Sequence, residues 1–333
     1  MLTFLARRLL FAAGLLFAVS MICFVLIHAP QGDYASQAKA TAMSQMGMGE
    51  DQAEQYAQRI RVRLGLDRPL LVQYAQWVGG IVLHGDFGPS FVSNRPVAEV
   101  IGQRLPFTLA IALVCHVLAT GIGVGLGIFA AMHQHRAGDT IASILAFLGM
   151  TVPRFLIALA ILYWLAFVVG SSSIGSLNSP FYVTQPWSPA KLWDVALHVW
   201  PVVLVATFGG LAYNLRIMRS NLLDVMRQPY IEAARARGLS RTAVTLRHAV
   251  PNALHPLVMH QGVILPYMIS GELEAALVLS IPTIGPLMFD SLNQQDVFVT
   301  STILLILSVV LVVGNFLADL GLALLDPRVR GAH

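Results

Sequence analysis

The sequence has few charged residues and almost no cysteine. Only 11% of its 333 residues are charged, whereas a soluble domain carries about 25%. A chain this poor in charge and 56% hydrophobic does not have the polar residues to cover a water-soluble globule. Its two cysteines, Cys23 and Cys115, both lie in apolar runs, which argues against a disulfide framework or a cysteine-ligated metal site. The first prediction is an integral membrane protein.

The sequence also lacks the motifs of several catalytic and binding sites. It has no G-x-x-x-x-G-K-[ST] loop, so the chain is not expected to bind the phosphates of ATP itself. His248, His255 and His260 do not have the H-E-x-x-H spacing of a zinc protease, and no metal site is predicted. The G-I-G-V-G-L-G run at 121–127 does not match the dinucleotide-binding pattern. Small residues four apart instead predict close packing of helices in lipid.

Six apolar stretches are long enough to cross a hydrocarbon core about 30 Å thick, which takes about 20 helical residues. The first stretch follows Arg7 and Arg8 and is longer than the apolar core of a signal peptide, so it is expected to remain as a membrane span. An even number of spans places both termini on one side. The spans are predicted at residues 9–28, 107–132, 141–169, 197–215, 257–281 and 299–325.

The distribution of arginine predicts the orientation of the chain. Residues 216–248 contain seven arginines against two acidic residues, Asp224 and Glu232. Because positive charge is retained in the cytoplasm, the 216–256 segment and both termini are predicted to be cytoplasmic. The 29–105 segment has seven basic and seven acidic residues and is predicted to be an external subdomain with two helices, the first ending near Gly65.

The stretch YIEAARARGLSRTAVTLRHAVPNA at 230–253 is a basic, helix-prone segment in an apolar chain. Its first half favours a helix, and Gly238 is suited to the position just past a helix end. Ser240 is placed to cap a second short helix that runs to about Ala249, where Pro251 is expected to stop it. The prediction is a helix–turn–helix hairpin.

The residues of this hairpin allow more than one interpretation. Ala233, Ala234 and Ala236 keep one turn thin, so that another protein could approach its backbone. A solvated helix that only keeps positive charge in the cytoplasm is equally compatible with the pattern. A helix lying on anionic lipid would need a larger apolar face, and a DNA-binding helix–turn–helix would need a folded domain around it.

The spacing E-A-A-x-x-x-G at 232–238, followed by R-H-A-V-P-N-A at 247–253, resembles the EAA loop of the membrane subunits of ABC importers. More narrowly, the chain resembles the permeases of the oligopeptide, dipeptide and nickel class, and in particular the first of the two permeases in such systems. The resemblance covers essentially the whole chain. Further matching motifs are Leu5–Leu10, Gly65–Pro69, Gln73-Tyr74 with Trp77, Gly85–Phe91, Ser280–Gly285 and the tail with Asp319 and Asp326-Pro327-Arg328.

This resemblance implies a type I ABC-importer permease fold and a division of labour between subunits. The hairpin would be the coupling helix that docks on a cytoplasmic ATPase subunit. The residues carried over to that role are Glu232, Ala233, Ala234, Arg237, Gly238, Pro251 and Asn252. The implied partners are a second homologous permease, two ATPase subunits and an extracytoplasmic substrate-binding protein, in a bacterial inner membrane. The chain itself would be non-catalytic and would hold no cofactor, because ATP and Mg would be bound by the ATPases.

Charged residues inside the predicted spans are candidates for the translocation path. Arg154 follows Pro153 in the third span, and Glu272 and Glu274 lie in the fifth. A buried arginine is costly unless it faces protein or water, so these side chains are expected to line the interior. Arg154 would either attract an anionic group of the substrate or pair with one of the two acids.

One motif departs from the pattern of the family. Ala276 stands where many relatives have glutamate, and Thr283 replaces a glycine. This departure leaves the solute open among peptides, opines, nickel chelates and sugar derivatives.

The fold predicted is therefore an all-α polytopic membrane protein with six transmembrane helices. Its expected parts are the N-terminus with the first span (1–28), a periplasmic subdomain (29–105) and a permease core (106–333) that carries the coupling loop 216–256. The alternative function is a secondary transporter driven by an ion gradient. Such carriers usually have internal repeats and broken spans, and the sequence has no detectable repeat.

Overall fold

The computed structural model describes the backbone of residues 2–28, 32–171 and 174–325, and the side chains of these except 2–9, 26, 27, 262, 263, 265–272 and 319–325. Over these ranges the chain is helical, and its β-structure is limited to one isolated bridge between Pro89 and Pro96. The all-helical prediction is confirmed. The chain divides into two compact units, Met1–Pro106 with Pro286–Val309, and Phe107–Gly285 with Val310–His333.

The first unit is built from five N-terminal helices and the segment 286–309. Gly65 ends α3 in the left-handed conformation at φ +68° and its N–H bonds back to the carbonyls of Arg61 and Val62, as the sequence predicted. Pro69 is the N-cap of the following helix. The helices are α1 (Leu2–Ile27), α2 (Tyr34–Gln45), α3 (Glu50–Leu64), α4 (Leu70–His84) and α5 (Val97–Gly102).

Aromatic side chains form the core of this unit. Phe24 of α1 stacks on Trp77 of α4, with ring centroids 5.5 Å apart, and meets Tyr74 edge-on at the same distance. Phe91 is buried in the same cluster together with Val297. The unit therefore joins the 29–105 segment to the first helix and to residues 286–309 around one apolar core.

The second unit contains the longest helices of the chain. Its core is formed where α8, α9 and α12 pack together around Val202, Ala206, Ala275 and Ala276. The helices are α6 (Leu105–Met132), α7 (Ala137–Thr151), α8 (Arg154–Tyr163), α9 (Pro189–Val225), α10 (Pro229–Ala236), α11 (Arg241–Val244) and α12 (Val250–Val278). Two further helices, α13 (Ile284–Asn293) and α14 (Val297–Leu325), each have residues in both units.

The glycine run of α6 has one packed and one open face. A Cβ on Gly123 would lie 2.7 Å from Asn214 Cβ, and one on Gly127 would lie 2.7 Å from Met218 Cβ. Real Cβ atoms do not approach so closely, so these two glycines let α6 lie directly against α9. A Cβ on Gly121 or Gly125 would have no atom within 4 Å. The predicted close packing is confirmed for two of the four glycines.

The third predicted span, 141–169, is not one continuous helix. The helix stops at Thr151, Val152 and Pro153 form a break, and the chain resumes at Arg154 in a direction bent by 97°. Pro153 has no N–H and disfavours the helical conformation of Val152, which is extended at ψ 123°. Arg154, which was predicted to follow Pro153 inside a continuous span, is instead the first residue of α8.

A helix occupies each of the other predicted spans. Within the described residues, three helices are long and apolar enough to cross a membrane, namely Val97–Met132, Pro189–Val225 and Val297–Ala318, and the bent pair would be a fourth. Leu10–Val25 is a shorter apolar helix. The fifth span falls within α12, most of whose middle lies outside the described side chains. The chain has the composition and helices of a polytopic membrane protein.

Candidate functional site

The predicted hairpin at 230–253 is present, and its first turn is built as expected. Helix α10 ends at Ala236, and Gly238 follows with φ +82°, a conformation that glycine adopts at little cost. The hydroxyl of Ser240 accepts a hydrogen bond from the N–H of Ala243, 3.3 Å away, and caps α11. Two short helices therefore meet at a tight, glycine-containing turn.

The second helix of the hairpin does not stop at Pro251 as predicted. After α11 the chain forms a π-helical segment, Thr245–Ala249, and then enters α12 without a loop. Pro251 lies in the first turn of α12, directly after this π-helical segment, so its N–H is missing where the regular i→i−4 hydrogen bonding is already interrupted. The hairpin and the membrane helix are one continuous helical element.

The inner face of the hairpin packs on the rest of the second unit. Ile231 and Ala234 are 0% and 1% exposed, and they contact Met218 and Leu222 of α9 in a shared apolar cluster. Of the residues assigned to coupling, Ala234 therefore faces inward. The others are all exposed, namely Glu232, Ala233, Arg237, Gly238, Pro251 and Asn252.

The outer surface of the hairpin carries apolar side chains that the sequence analysis did not single out. Tyr230, Leu239 and Leu246 are 44%, 41% and 53% exposed. They lie at the start of α10, in the turn and in the π-helical segment. Exposed apolar groups rimmed by arginines form a surface suited to binding another protein. Their position at the ends of the two short helices was visible in the sequence.

Two arginines of this region are held by specific contacts. Arg219 of α9 forms a bidentate ion pair with Asp139, with contacts of 2.6 and 2.8 Å, and Asp139 is only 4% exposed. The guanidinium of Arg241 donates to the carbonyl of Met132, the last residue of α6, at 3.0 Å. The arginines that predicted the orientation of the chain thus also fasten the α6–α7 connection to α9 and to the hairpin.

A cavity of about 800 Å³ lies within the second unit at the break between α7 and α8. The described residues around it come from α7, α8, α9 and α12. Arg154 and Glu274, both predicted path residues, line this one cavity. The side chain of Glu272 lies outside the described residues. Among its described lining residues, the charged ones are Arg154 and Glu274, and the polar and aromatic ones include Tyr213 and His260.

Helix α9 determines where the Arg154 side chain lies. A Cβ on Gly209 would be 3.0 Å from both Nε and one terminal nitrogen of Arg154, so the guanidinium rests against the bare backbone of α9. One turn farther along α9, the ring of Tyr213 contacts the ring of His260 of α12, with centroids 5.0 Å apart. Sequence reasoning did not find Gly209 or Tyr213, because nothing in their local sequence shows which residue of another helix faces them.

Comparison with known protein families gives two matches that together cover most of the chain. The family described as "Binding-protein-dependent transport system inner membrane component" matches residues 123–331. The corresponding N-terminal family of such membrane components matches residues 1–112. The resemblance stated from the EAA loop and its companion motifs is confirmed.

Individual relatives are similar over nearly their full length. The chain is 32% identical to the "Oligopeptide transport system permease protein AppB" of Bacillus subtilis, over 99% of this chain and 100% of the relative. It is 29% identical to the "Probable peptide ABC transporter permease protein y4tP" of Sinorhizobium fredii, over 98% and 99% of the two chains.

A solved structure has a similar fold. It is described as "Inward facing conformations of the MetNI methionine ABC transporter", and the match has a TM-score of 0.53 at 17% identity. The match covers 68% of this chain and 97% of the other. At this identity the likeness concerns the fold alone, and it agrees with the permease fold expected from the sequence.

Proposed function

Since this chain belongs to the family of binding-protein-dependent transport system inner membrane components and is a permease subunit of an ABC importer, we propose that it carries short peptides and is driven through the 230–253 hairpin. It is a multi-pass protein of the inner membrane. Permeases of this kind work with a second permease, an ATPase and a substrate-binding protein.

The observation that carries the coupling proposal is the two-sided construction of the hairpin. Ile231 and Ala234 anchor it in the apolar core of the second unit, while Glu232, Ala233 and Gly238 remain outside. A subunit that docks on the outer face would push on an element already packed against α9. Closure of two ATPase subunits around ATP and Mg would thereby be transmitted to the membrane helices.

Orientation and partner composition follow from the same proposal. The hairpin must lie in the cytoplasm to meet an ATPase, which agrees with the seven arginines between 216 and 248, four of which belong to the hairpin. Both termini then also lie in the cytoplasm. The second permease would be homologous to this chain, with the pathway between the two, and ATP would be hydrolysed by the ATPases alone.

Peptides are proposed as the solute for two reasons. The relatives above that align along almost the whole chain are named oligopeptide or peptide permeases. The cavity in the second unit also has residues of both charges, Arg154 and Glu274, among its described lining residues, which is compatible with a zwitterionic solute. Opines, nickel chelates and sugar derivatives are the competing solutes for an uptake assay.

The coupling surface is tested with Gly238→Asp in the complex co-expressed with its ATPase subunits, second permease and binding protein. Gly238 is exposed, and a Cβ there would meet no atom within 4 Å. A side chain is strained at its φ of +82°, and the control below at φ +66° carries a similar strain, so the difference between the two variants reports docking and not the fold. We expect co-purification of the ATPase subunits and ATP-dependent uptake of labelled peptides into proteoliposomes to fall at least about tenfold.

The matched control is Gly47→Asp. Gly47 is also exposed, has φ +66°, and a Cβ there would likewise meet no atom within 4 Å, but it lies between α2 and α3. The complex that carries Gly47→Asp should still co-purify with its ATPase subunits and should still take up peptides. Equal recovery of ATPase with both variants would contradict docking at the hairpin. Peptide uptake by the purified chain on an ion gradient without ATP would instead favour a secondary transporter.

A further inference from the structure

Helices α3 and α4 of the first unit present different kinds of surface. The exposed side of α3 carries mostly charged and amide side chains, among them Glu54, Gln55 and Arg59. Helix α4 has no Asp, Glu, Lys or Arg in its 15 residues. Four of its apolar side chains are strongly exposed, namely Leu71, Val72, Val82 and Leu83 at 66%, 41%, 75% and 76%. Two consecutive helices of one unit are therefore suited to different surroundings.

The four exposed apolar residues form one face of α4, which we call the outer face. At 3.6 residues per turn they fall within an arc of about 120°, with Ala75 and Gly79 between them. Tyr74 and Trp77 are 8% and 4% exposed, lie on the opposite side of the helix and belong to the aromatic core of the unit. The outer face is thus the side of α4 that the unit itself leaves uncovered.

The inner side of α4 meets α1 well inside that helix. The hydroxyls of Tyr74 and Ser20 share a hydrogen bond of 2.7 Å. Ser20 lies seven residues before Ile27, the last residue of α1, which is about 10 Å along the helix axis. Because α1 is the first apolar helix of the chain, α4 lies beside its apolar part and not beyond its end.

A second membrane helix gives the same depth. Leu305 of α14 packs against the aromatic cluster to which Tyr74 and Trp77 belong. It is eight residues after Val297, where α14 begins, or about 12 Å along the axis. The segment Val297–Ala318 is long and apolar enough to cross a membrane. Two helices therefore place the inner side of α4 roughly 10–12 Å inside their ends, close to the depth of about 5–10 Å that amphipathic helices reach in a bilayer surface.

We propose that α4 lies in the bilayer as a helix that does not cross it, and that its outer face contacts the hydrocarbon chains of lipid. A helix can enter hydrocarbon because its backbone N–H and C=O groups are paired within the helix. The 29–105 segment then divides between two surroundings, with α3 in water and α4 in lipid. This inference depends neither on the identity of the solute nor on coupling through the hairpin.

Lipid fits the outer face better than a protein partner does. Docking faces for soluble proteins carry a polar or charged rim, whereas the arc of the outer face contains one polar residue, Gln76. The exposed apolar surface of α1 also adjoins α4 at this depth. Phe17 of α1 is 57% exposed, and its ring lies 6.1 Å from the ring of Tyr74. A single layer of lipid chains would cover both helices.

The first test uses the wild-type complex of both permeases and the ATPase subunits, reconstituted with phospholipids that carry a diazirine in the middle of one acyl chain. After illumination, mass spectrometry locates the lipid adducts along the chain. We expect adducts within α4 as well as within α14, and none within α3. Adducts on α14 without any on α4 would refute the proposal, and this measurement requires no substitution.

The second test measures the surroundings of single side chains with nitroxide labels. Leu83→Cys and Val72→Cys report on the outer face, and Gln55→Cys on the exposed side of α3 is the matched control, each with Cys23 and Cys115 replaced by alanine. The rates of collision with oxygen and with a water-soluble nickel chelate are compared. The ratio of oxygen to chelate collisions should be at least about tenfold higher at both α4 positions than at Gln55, because a polar chelate is excluded from hydrocarbon.

The same labels distinguish lipid from the other occupants of this face. Chelate access at Leu83→Cys equal to that at Gln55→Cys would show that α4 lies in water and would refute the proposal. Chelate access that is lost when the extracytoplasmic binding protein is added would assign the face to that protein instead. Few collisions with either reagent would show a face covered by another subunit, such as the second permease, and would also refute lipid contact.

A failure of this inference leaves the proposed import function intact. Uptake assays with peptides do not depend on where α4 lies, and the labels and lipid adducts do not depend on uptake. A complex that imports no peptide but shows lipid adducts on α4 would overturn the proposed solute and retain the embedded helix.

Discussion

At the residue scale, Asp33 has two roles at the start of α2. Its carboxylate caps the helix by accepting from the N–H of Ser36 at 2.8 Å, and it accepts from Arg61 of α3 at 2.8 Å. Burial alone would raise the pKa of Asp33, but hydrogen bonds from Arg61 and Ser36 and the charge of Arg61 outweigh it. The pKa is lowered from 3.8 to about 2. The charged form therefore joins α2 to α3.

This lowered pKa makes the stability of the first unit depend on pH. A carboxylate whose pKa is lower in the folded state raises the free energy of unfolding. This stabilisation is fully present above the unfolded pKa of about 3.9 and is lost as the pH falls through the folded pKa. We expect Asp33→Asn, which retains the helix cap, to lower the unfolding temperature at pH 7. The difference from wild type should shrink between pH 4 and pH 2, measured by thermal unfolding in detergent.

An exposed carboxylate of the same unit provides the comparison for this pH dependence. Asp67→Asn also removes one negative charge, from an exposed side chain beyond the end of α3. It should leave the unfolding temperature at pH 7 unchanged. A gap between wild type and Asp33→Asn that persists at pH 2 would show that the ion pair is not its cause.

Single residues also show where sequence reasoning reached its limit. The E-A-A-x-x-x-G spacing located the hairpin and its turn correctly, because caps and glycine turns are local features. It did not separate Ala233, which is exposed, from Ala234, which is 1% exposed. Alanine is equally suited to an outer surface and to a packed interior, so only the contact with α9 decides between them. Arg154 was recognised as a path candidate from its charge alone, but its position against Gly209 depends on a distant helix.

At the element scale, the contact between α6 and α9 depends on two glycines. The hydroxyl of Thr120 and the side chains of Asn214 and Gln261 are hydrogen-bonded beside it, with distances of 2.9 to 3.4 Å. Such side-chain bonds between helices stabilise packing in lipid. Close approach of the backbones at Gly123 and Gly127 brings these polar groups within reach of each other.

Alanine substitutions in α6 should have opposite effects on its two faces. Gly127→Ala places a Cβ 2.7 Å from Met218 Cβ and 2.8 Å from the carbonyl of Leu215, and overpacking of this kind costs about 1–3 kcal/mol. Gly125→Ala meets no atom within 4 Å and should be neutral or stabilising by up to about 1 kcal/mol, because alanine favours a helix. The free energy of unfolding in detergent measures both. Equal destabilisation by the two variants would contradict the packing described for α6.

Prolines account for the two elements that the sequence predicted incorrectly. Pro153 was placed inside a continuous span and instead breaks it with a 97° bend, while Pro251 was expected to end a helix and instead begins one. The same residue type is tolerated at a first turn and disruptive in an interior. A proline is tolerated where the backbone before it already lacks regular helical hydrogen bonds, and it breaks the helix where those bonds are intact. The π-helical segment before Pro251 could not be predicted from the sequence, so neither could the outcome at Pro251.

At the scale of the whole molecule, chain segments far apart in sequence close the first unit. Asp296, at the start of α14, is 2% exposed and accepts from the hydroxyl of Ser90 at 2.6 Å and from the N–H of Val92 at 3.3 Å. Gln37 donates to the carbonyl of Asn293 at 2.9 Å. The apolar periodicity predicted most helices, but it could not show that residues 286–309 complete the unit formed by residues 1–106.

Removing Asp296 should open this unit. Asp296→Ala leaves the buried Ser90 hydroxyl without its acceptor, and an unpaired buried group costs about 1–3 kcal/mol. We expect a lower free energy of unfolding and faster chymotrypsin cleavage after Phe91, which lies in the adjacent loop and is only 1% exposed while the unit is closed. Asp290→Ala, at an exposed position of α13, is the matched control and should cleave at the wild-type rate. If both variants cleave at that rate, Asp296 does not hold the loop.

Because no loop separates the hairpin from α12, a tilt of the hairpin would be carried along α12 as along a lever. Glu274 lies 24 residues beyond Val250 on one helix, a length of roughly 36 Å at about 1.5 Å per residue. A tilt of about 5° at the base of such a rod displaces its far end by about 3 Å. His260, ten residues from the base, would move by less than half as much. We expect a push on the hairpin to widen one end of the cavity more than the other, so that a bound solute is released at one end first.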